Sequence, residues 1–372
     1  MNDFPKKLAG QVRATPRLPS VAIGFDGFVD EMISVVSERQ SLTNYATVPD
    51  IATFGGLITR AAGHSSLREI VINAVHPGGC AVNTGDGLAA LGVPVDVFAT
   101  LGQPMHAAFQ ETAARFQSCQ SWGREPGRTL AYEFSDGKLM FSAVSQLADF
   151  TPEQVEKMLA DGVYAAACAT APVIALTDWT LYPHMTAVWK LLQEKVYSRL
   201  THRPAFFIDL VDPSSRSTSD ILAMLAVLPR FEPCGPLTLG LNGNEANILA
   251  RLLNLTEAQD DPEASLRLGQ ELRKQLGISE VLVHHIKSAA LASLHEPAFQ
   301  RGPYCAKPKK STGAGDRFNA GYILGLLLQL DGRSRLACAC ACAGFFVRQA
   351  RSATLPELAD FIETILTPCP EA

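Results

Sequence analysis

Residues 311–321 read STGAGDRFNAG and lead into the apolar run YILGLLLQL. Gly313 and Gly315 flank Ala314 directly before Asp316, at what the apolar run predicts to be the first turn of a helix. A helix start leaves backbone N–H groups without partners and carries the positive end of the macrodipole. With no bulky side chains in the way, those amides can approach an anion closely. Asp316 is then held beside that anion, and the dipole predicts that its carboxylate is ionised at neutral pH. An anion hole with a base next to it suits transfer of a phosphoryl group to a hydroxyl. The amides of Gly313, Ala314 and Gly315 would stabilise the transferring charge while Asp316 takes the proton. The same residues also make a plain strand-to-helix turn in which Asp316 serves only the dipole, and a short glycine motif does not separate the two.

Other stretches carry related chemistry. PGGCAVNTGDGLAALG (77–92) pairs Gly78 with Gly79 at a second strand-to-helix turn, and the Asn83 amide can both donate to and accept from a polyol. GFDGFVDE (24–31) puts Asp26 and Asp30 near the carboxyl end of a strand, where open α/β sheets bind ligands. LNGNEANIL (241–249) sets Asn242 and Glu245 three apart on one face of a helix start, an arrangement suited to magnesium held through water. Asp178, Asp209 and Asp212 fall at further strand ends, either to form turns or, for Asp209 or Asp212, to meet metal-bound water. Arg317 follows Asp316 and is a candidate phosphate contact. His284 and His285 are adjacent, so their side chains diverge on a strand and suit a strand end better than one metal.

The elements that must position these residues alternate. SVAIGFDG, VDVFATLG, VIALTDW, AFFIDLVD, LTLGLN and EVLVHH are short apolar runs separated in several places by helix-period segments, such as 183–200, 244–254 and 262–277. This predicts βαβ units and a mostly parallel sheet covered on both faces. Residues 31–70 and 122–147 break the rhythm. The second alternates apolar and polar residues around Asp136-Gly137, a hairpin signal. Such a hairpin is either a lid that excludes water from a site at the strand ends or a plain edge.

The composition narrows the field. Of 372 residues, 47% are hydrophobic and 19% charged, enough for a large core. A formal charge of −5 gives no electrostatic footprint for nucleic acid or an anionic membrane. The nine cysteines, Cys369 among them, are odd in number and lack a CxxC pair, which suits a reducing cytosol. Cys338, Cys340 and Cys342 read as small core residues. No apolar run is long enough to span a membrane, and residues 1–20 have no signal-peptide core. These features together predict a soluble cytoplasmic protein.

GGCAVN, NGNE and STGAGDRFNAG, in this order, resemble the ribokinase/PfkB family of carbohydrate kinases over about residues 20–350. The resemblance implies a three-layer α/β/α fold with a mostly parallel sheet, a single domain over 1–372, and a small β-sheet lid at 31–70 and 122–147. It implies that Asp316 is the catalytic base, with the amides of Gly313, Ala314 and Gly315 as the anion hole. Asp26, Asp30, Gly78, Gly79 and Asn83 would bind the sugar. Asn242, Glu245, Lys287, Thr312 and Lys310 would bind ATP, with Mg²⁺ at Glu245 through water. The sequence also departs from the family. Lys310 stands where many members have an aspartate that ligates a monovalent cation, so either its ammonium replaces the cation or it is a solvated loop lysine. Ile286 and Ala289 replace common glycines, which predicts a narrower or reshaped nucleotide pocket. LGQPMHAAF (101–109) lacks the usual Gly-x-Asp, and 31–70 is longer than usual, with FGGLITRAAGHSS (54–66) inside it. Two other readings stay open. One is a nucleoside kinase whose acceptor pocket would use Phe25, Phe28 or Phe54, and the other is a non-catalytic sugar-binding regulator. An exposed lid edge would allow a homodimer.

Overall fold

The computed structural model describes residues 3–15 and 17–365, so Cys369 lies outside the described residues. The described residues form fourteen strands: β1 (Val21–Phe25), β2 (Phe28–Arg39), β3 (Tyr45–Thr47), β4 (Ile70–Gly78), β5 (Val95–Ala99), β6 (Ser118–Ser121), β7 (Gly127–Phe134), β8 (Gly137–Ala143), β9 (Val173–Leu176), β10 (Ala205–Asp209), β11 (Leu237–Asn242), β12 (Glu280–His284), β13 (Ser288–Ser293) and β14 (Ala298–Arg301). Strands such as VAIGF and VIAL have no polar face to offer water, so they pack as central strands with helices on both sides.

The main sheet has nine strands in the order β14-β13-β12-β11-β10-β9-β1-β5-β6. From β12 to β6 the neighbours are parallel, with Ile23 of β1 level with Ala175 of β9 and Val97 of β5. Alternate residues feed two apolar layers. Ile174 and Phe206 pack with Trp179, Tyr182 and Trp189 on one face, and Ala175 and Phe207 pack with Leu282 and Tyr322 on the other. Because the strands are parallel, Asp26, Thr177, Asp178, Asp209, Asn242 and His284 all follow or end strands along one edge of the sheet. Ile286 lies in a tight turn after β12 and Ala289 in β13, which pairs antiparallel with β12 and with β14. Its small residues, SAALAS, carry too little side chain to announce a strand.

A second sheet of five strands stands apart, with β2 between β4 and β7, β8 beyond β7, and β3 beside the far end of β2. The Asp136-Gly137 signal is a hairpin whose turn, Ser135-Asp136, closes on the pair Phe134 and Gly137. The Ile51–Ala61 helix is capped by the Asp50 carboxylate, which accepts from Thr53 N at 2.6 Å, and Phe54 stacks on Tyr132 and Phe134. The strands of this sheet run past the polar segments 31–70 and 122–147 at some ends and stop short at others. β2 starts at Phe28 and β4 runs on to Gly78, while Trp122 is fully buried and stacks on Phe25 of the main sheet, ring centres 5.2 Å apart. The change from polar to apolar composition does not mark where this sheet ends, because its strands run directly into the core. Among the described residues no helix is long and apolar enough to cross a membrane.

The helix that carries Asp316, Ala314–Leu327, is fastened to the sheet by charge. Glu280 of β12 accepts from Tyr322 Oη at 2.7 Å, from Thr238 Oγ1 at 2.8 Å and from Arg335 Nη2 at 2.9 Å. The Arg335 and Glu280 side chains are only 8% and 13% exposed, so removing one partner leaves a charge without compensation. We expect Arg335→Met to lower the unfolding free energy by about 3 kcal/mol in urea denaturation, and Glu280→Gln in the same chain to recover part of it.

Candidate functional site

The turn before Asp316 is built on Gly313, which caps the helix in the left-handed region with φ 88°. A side chain there would be strained and would press on the Arg317 guanidinium, 3.1 Å from an added Cβ. Ala314 N donates to Ser311 O at 3.0 Å, so the turn itself consumes one of the three amides expected in the anion hole. The Gly313 and Gly315 amides have no partner among the described residues. Gly315 faces open space, with His284 Cε1 the nearest atom, 3.8 Å from an added Cβ.

Asp316 is 8% exposed, and burial pushes its carboxyl up to about 7. Arg317 opposes that shift, Asp209 and Asp26 add to it, and a hydrogen bond with the Cys80 side chain opposes it. The expectation of a fully ionised carboxylate is thereby corrected: loss of water outweighs the helix dipole. Arg317, a candidate phosphate contact, is engaged within the chain. Its Nη2 donates to Asp86 Oδ2 at 2.7 Å, its Nε to Ser352 Oγ at 3.1 Å, and its plane covers Phe346. Cys80 was missed from sequence, where nothing ties residue 80 to residue 316.

Gly79 starts the Cys80–Ala90 helix with φ 97°. Asp26 is tied to that start. Its carboxylate accepts from Cys80 N, from Ala81 N at 2.8 Å and from Thr177 Oγ1 at 2.5 Å, and it is 1% exposed. Asp26, expected at the sugar, therefore has both oxygens committed to the backbone and to β9. Asp30 differs. It is partly exposed and lies against Gly78, where any Cβ would collide with its carboxylate. Burial raises its pKa, while a Thr129 hydrogen bond and the nearby His76 and Lys310 charges favour the ionised form. The half-buried Asn83 amide has no hydrogen-bond partner among the described residues.

On the other side of the Gly313–Asp316 turn lies a cavity of about 810 Å³, mostly apolar. Asn242, Asn244, Tyr304, Ala314, Gly315 and the small residues Cys340, Ala343 and Gly344 line it. Ile286 lines it as well and is 81% exposed. His284 also lines it. Burial and His285 lower its pKa to about 4, and its ring lies 4.6 Å from that of Phe318, so it adds no charge there. Thr312 sits half-buried in the turn without lining the cavity. Lys287 is exposed beside it, its ammonium 5.2 Å from the Tyr304 ring. Lys310 is exposed at the surface, its ammonium 5.6 Å from the Phe346 ring, and partial loss of water, then Arg317 and Lys138, lower its pKa.

Asn242 and Glu245 form a capping box: Glu245 N donates to Asn242 Oδ1 at 3.0 Å and Asn242 N to Glu245 Oε2 at 2.8 Å. One Glu245 oxygen remains uncommitted. Burial, followed by Asp209 and Asp212, raises this carboxyl to about 8. Asp178, Asp209 and Asp212 each close a turn, accepting from Leu181 N, Val211 N and Ser214 N, and Asn319 Nδ2 donates to Asp209 at 2.7 Å. Among the described residues no three His, Cys, Asp or Glu side chains group around a metal position. An oxygen-only set with one open carboxylate oxygen fits magnesium that keeps most of its water, not a protein cage. Cys338, Cys340 and Cys342 are buried in the Gly332–Gln349 helix, as expected of core residues.

The two aspartates of GFDGFVDE should separate in experiment. Asp26→Ala leaves two amides and a hydroxyl without an acceptor, and should cost about 2 kcal/mol or more in urea denaturation. Asp30→Ala should change stability by less than half of that.

The model of the prokaryotic ketohexokinase family matches residues 6–365. The chain is 28% identical to a ketohexokinase of Haloferax volcanii over 344 residues, 92% of this chain and 90% of that one. Among solved structures it is similar to a carbohydrate kinase from Agrobacterium tumefaciens, with TM-score 0.62, 18% identity, and 95% and 99% of the two chains covered. It is also similar to Arabidopsis thaliana ribokinase complexed with ribose and ATP, with TM-score 0.61, 16% identity, and 94% and 99% covered. These likenesses show that the nine-stranded sheet, its two helical layers and the small sheet make up a ribokinase-like fold. The chain belongs to the prokaryotic ketohexokinase family and is a carbohydrate kinase, a phosphotransferase with an alcohol group as acceptor.

Proposed function

We propose that this chain transfers the γ-phosphoryl group of ATP to a hydroxyl of a ketohexose, with Asp316 as general base. One observation carries the reading. A buried carboxyl with pKa about 7 stands at a helix start, between the Gly78-Gly79 turn with Asp30 and a cavity large enough for a nucleotide. Asp30, the Gly78-Gly79 backbone and Asn83 hold the sugar, and the small sheet acts as a lid over it. Asp26 positions that backbone. Asp316 accepts the proton of the attacking hydroxyl, and the Gly313 and Gly315 amides face the transferring group. Asn242 and Glu245 would hold magnesium through water. When bound, that ion neutralises phosphate charge.

The nucleoside-kinase alternative gains no support. Phe25 is in the core, Phe28 is 4% exposed, and Phe54 stacks on Tyr132, one residue out of phase with the face that carries Asp30. A homodimer through the lid does gain support. β4 is an edge strand, and Ile70, Ile72 and Val75 are exposed on it by 40%, 47% and 47%. Light scattering should give twice the chain mass for wild type, and Ile72→Lys should lower it. The free thiols support a cytoplasmic location.

The base must be deprotonated to act. ATP-coupled assays on ketohexoses, aldohexoses and nucleosides should find turnover on a ketohexose, with kcat/KM rising about tenfold per pH unit towards pH 7 and levelling above it. Asp316→Asn should lower kcat by about 10²–10⁴ with the sugar KM little changed. The stability effect has the opposite sign. Between the ordinary carboxyl value of 3.8 and about 7 the folded chain holds a proton that the unfolded chain has lost. Stability from this group therefore falls as pH rises through that window, and Asp316→Asn should be at least as stable as wild type at pH 8. A variant that kept full activity would remove Asp316 from the mechanism.

A further inference from the structure

The inner face of the lid carries chemistry that phosphoryl transfer does not use. In register, Asp30 of β2 pairs with His76 of β4 on one side and with Thr129 of β7 on the other, and Thr129 pairs with Ser142 of β8. Partners directly across a ladder point to the same face. His76, Asp30, Thr129 and Ser142 therefore form one polar row across four strands. The Thr129 and Ser142 hydroxyls are 3.3 Å apart, and Thr129 stands level with Asp30 on the neighbouring strand. The next row on this face, Ala74, Met32, Ala131 and Met140, is apolar. The Asp30 carboxylate lies against Gly78, next to the helix start that Asp26 ties to the strand ends of the main sheet, so this face adjoins the candidate site.

Within the row, His76 stands out. Thr129 and Ser142 share a hydrogen bond, whereas the His76 ring is exposed and has no hydrogen-bond partner among the described residues. It nonetheless stands directly across the ladder from Asp30, on the same face. Asp30, when ionised, can only accept hydrogen bonds, while a neutral imidazole offers one donor and one acceptor. A carboxylate and an imidazole side by side complement two neighbouring hydroxyls of one molecule. A lone surface histidine would have no such companion.

We propose that His76 is a specificity-determining residue that hydrogen-bonds a sugar hydroxyl next to the one held by Asp30, so that the lid reads a vicinal diol. The inference rests on the kinase reading above. The Asp316 turn handles the reacting hydroxyl, and His76 checks one that does not react.

The test uses the full chain with D-fructose, its ketohexose epimers and its monodeoxy analogues, following both turnover and direct binding by calorimetry. His76→Ala should raise the sugar KM and Kd by about tenfold while the ATP KM, kcat and melting temperature hold. For one monodeoxy sugar, the wild-type preference for fructose should collapse in His76→Ala, and His76→Asn should restore part of it. Unchanged sugar affinity and unchanged discrimination would overturn the proposal, as would parallel losses for sugar and ATP. Wild type that binds the sugar without turnover would refute the kinase reading alone, with His76 still judged by the Kd values. Wild type that neither binds nor phosphorylates any of these sugars would overturn both.

Discussion

The site depends first on the Asp26 carboxylate. It accepts from two amides at the start of the Cys80–Ala90 helix and from the Thr177 hydroxyl after β9, so it ties β1, β9 and that helix at one point. Its place in the chain matters as much as its bonds. Asp26 lies between β1 and β2, and the amides it holds lie just beyond β4. Both strands that root the small sheet in the molecule are thus stapled to each other there. Without this staple Gly78 would not be held against Asp30, and Cys80 would not meet Asp316.

A second constraint is electrostatic. Asp26, Asp178, Glu245 and Asp316 are buried and Asp209 is half-buried along one edge of the sheet, and loss of water raises the pKa of each. Carboxyls gathered out of water resist ionising together. Arg317, the cation next in sequence, is spent on Asp86 and Ser352. The folded chain therefore carries a deficit of positive charge here, which favours a site whose occupants bring cations with them.

Much of this was legible in the sequence. Uninterrupted apolar runs marked the parallel strands, Asp136-Gly137 marked the hairpin, and the glycine turns marked both helix starts. What escaped follows from what a linear pattern cannot carry. The spacing of Asn242 and Glu245 was visible, but not that the two would cap each other. The dipole at Asp316 was predictable from a helix start, whereas its burial comes from packing by distant elements and reverses the outcome. Asp26 and Asp30 look alike in GFDGFVDE. Only the fold shows that one is consumed by backbone amides and the other left open. β13 went unread because alanine and serine fit loop, strand and helix alike.

Strand β4 has one more implication. Side chains alternate along it, so Val75 and His76, adjacent in the chain, answer to different surroundings: the outer surface and the face that carries Asp30. Between the two faces there is only the thickness of one backbone. Contacts made on the outside and occupancy on the inside are therefore linked variables of a single rigid element. Whatever coupling exists between them must act with the same factor in both directions.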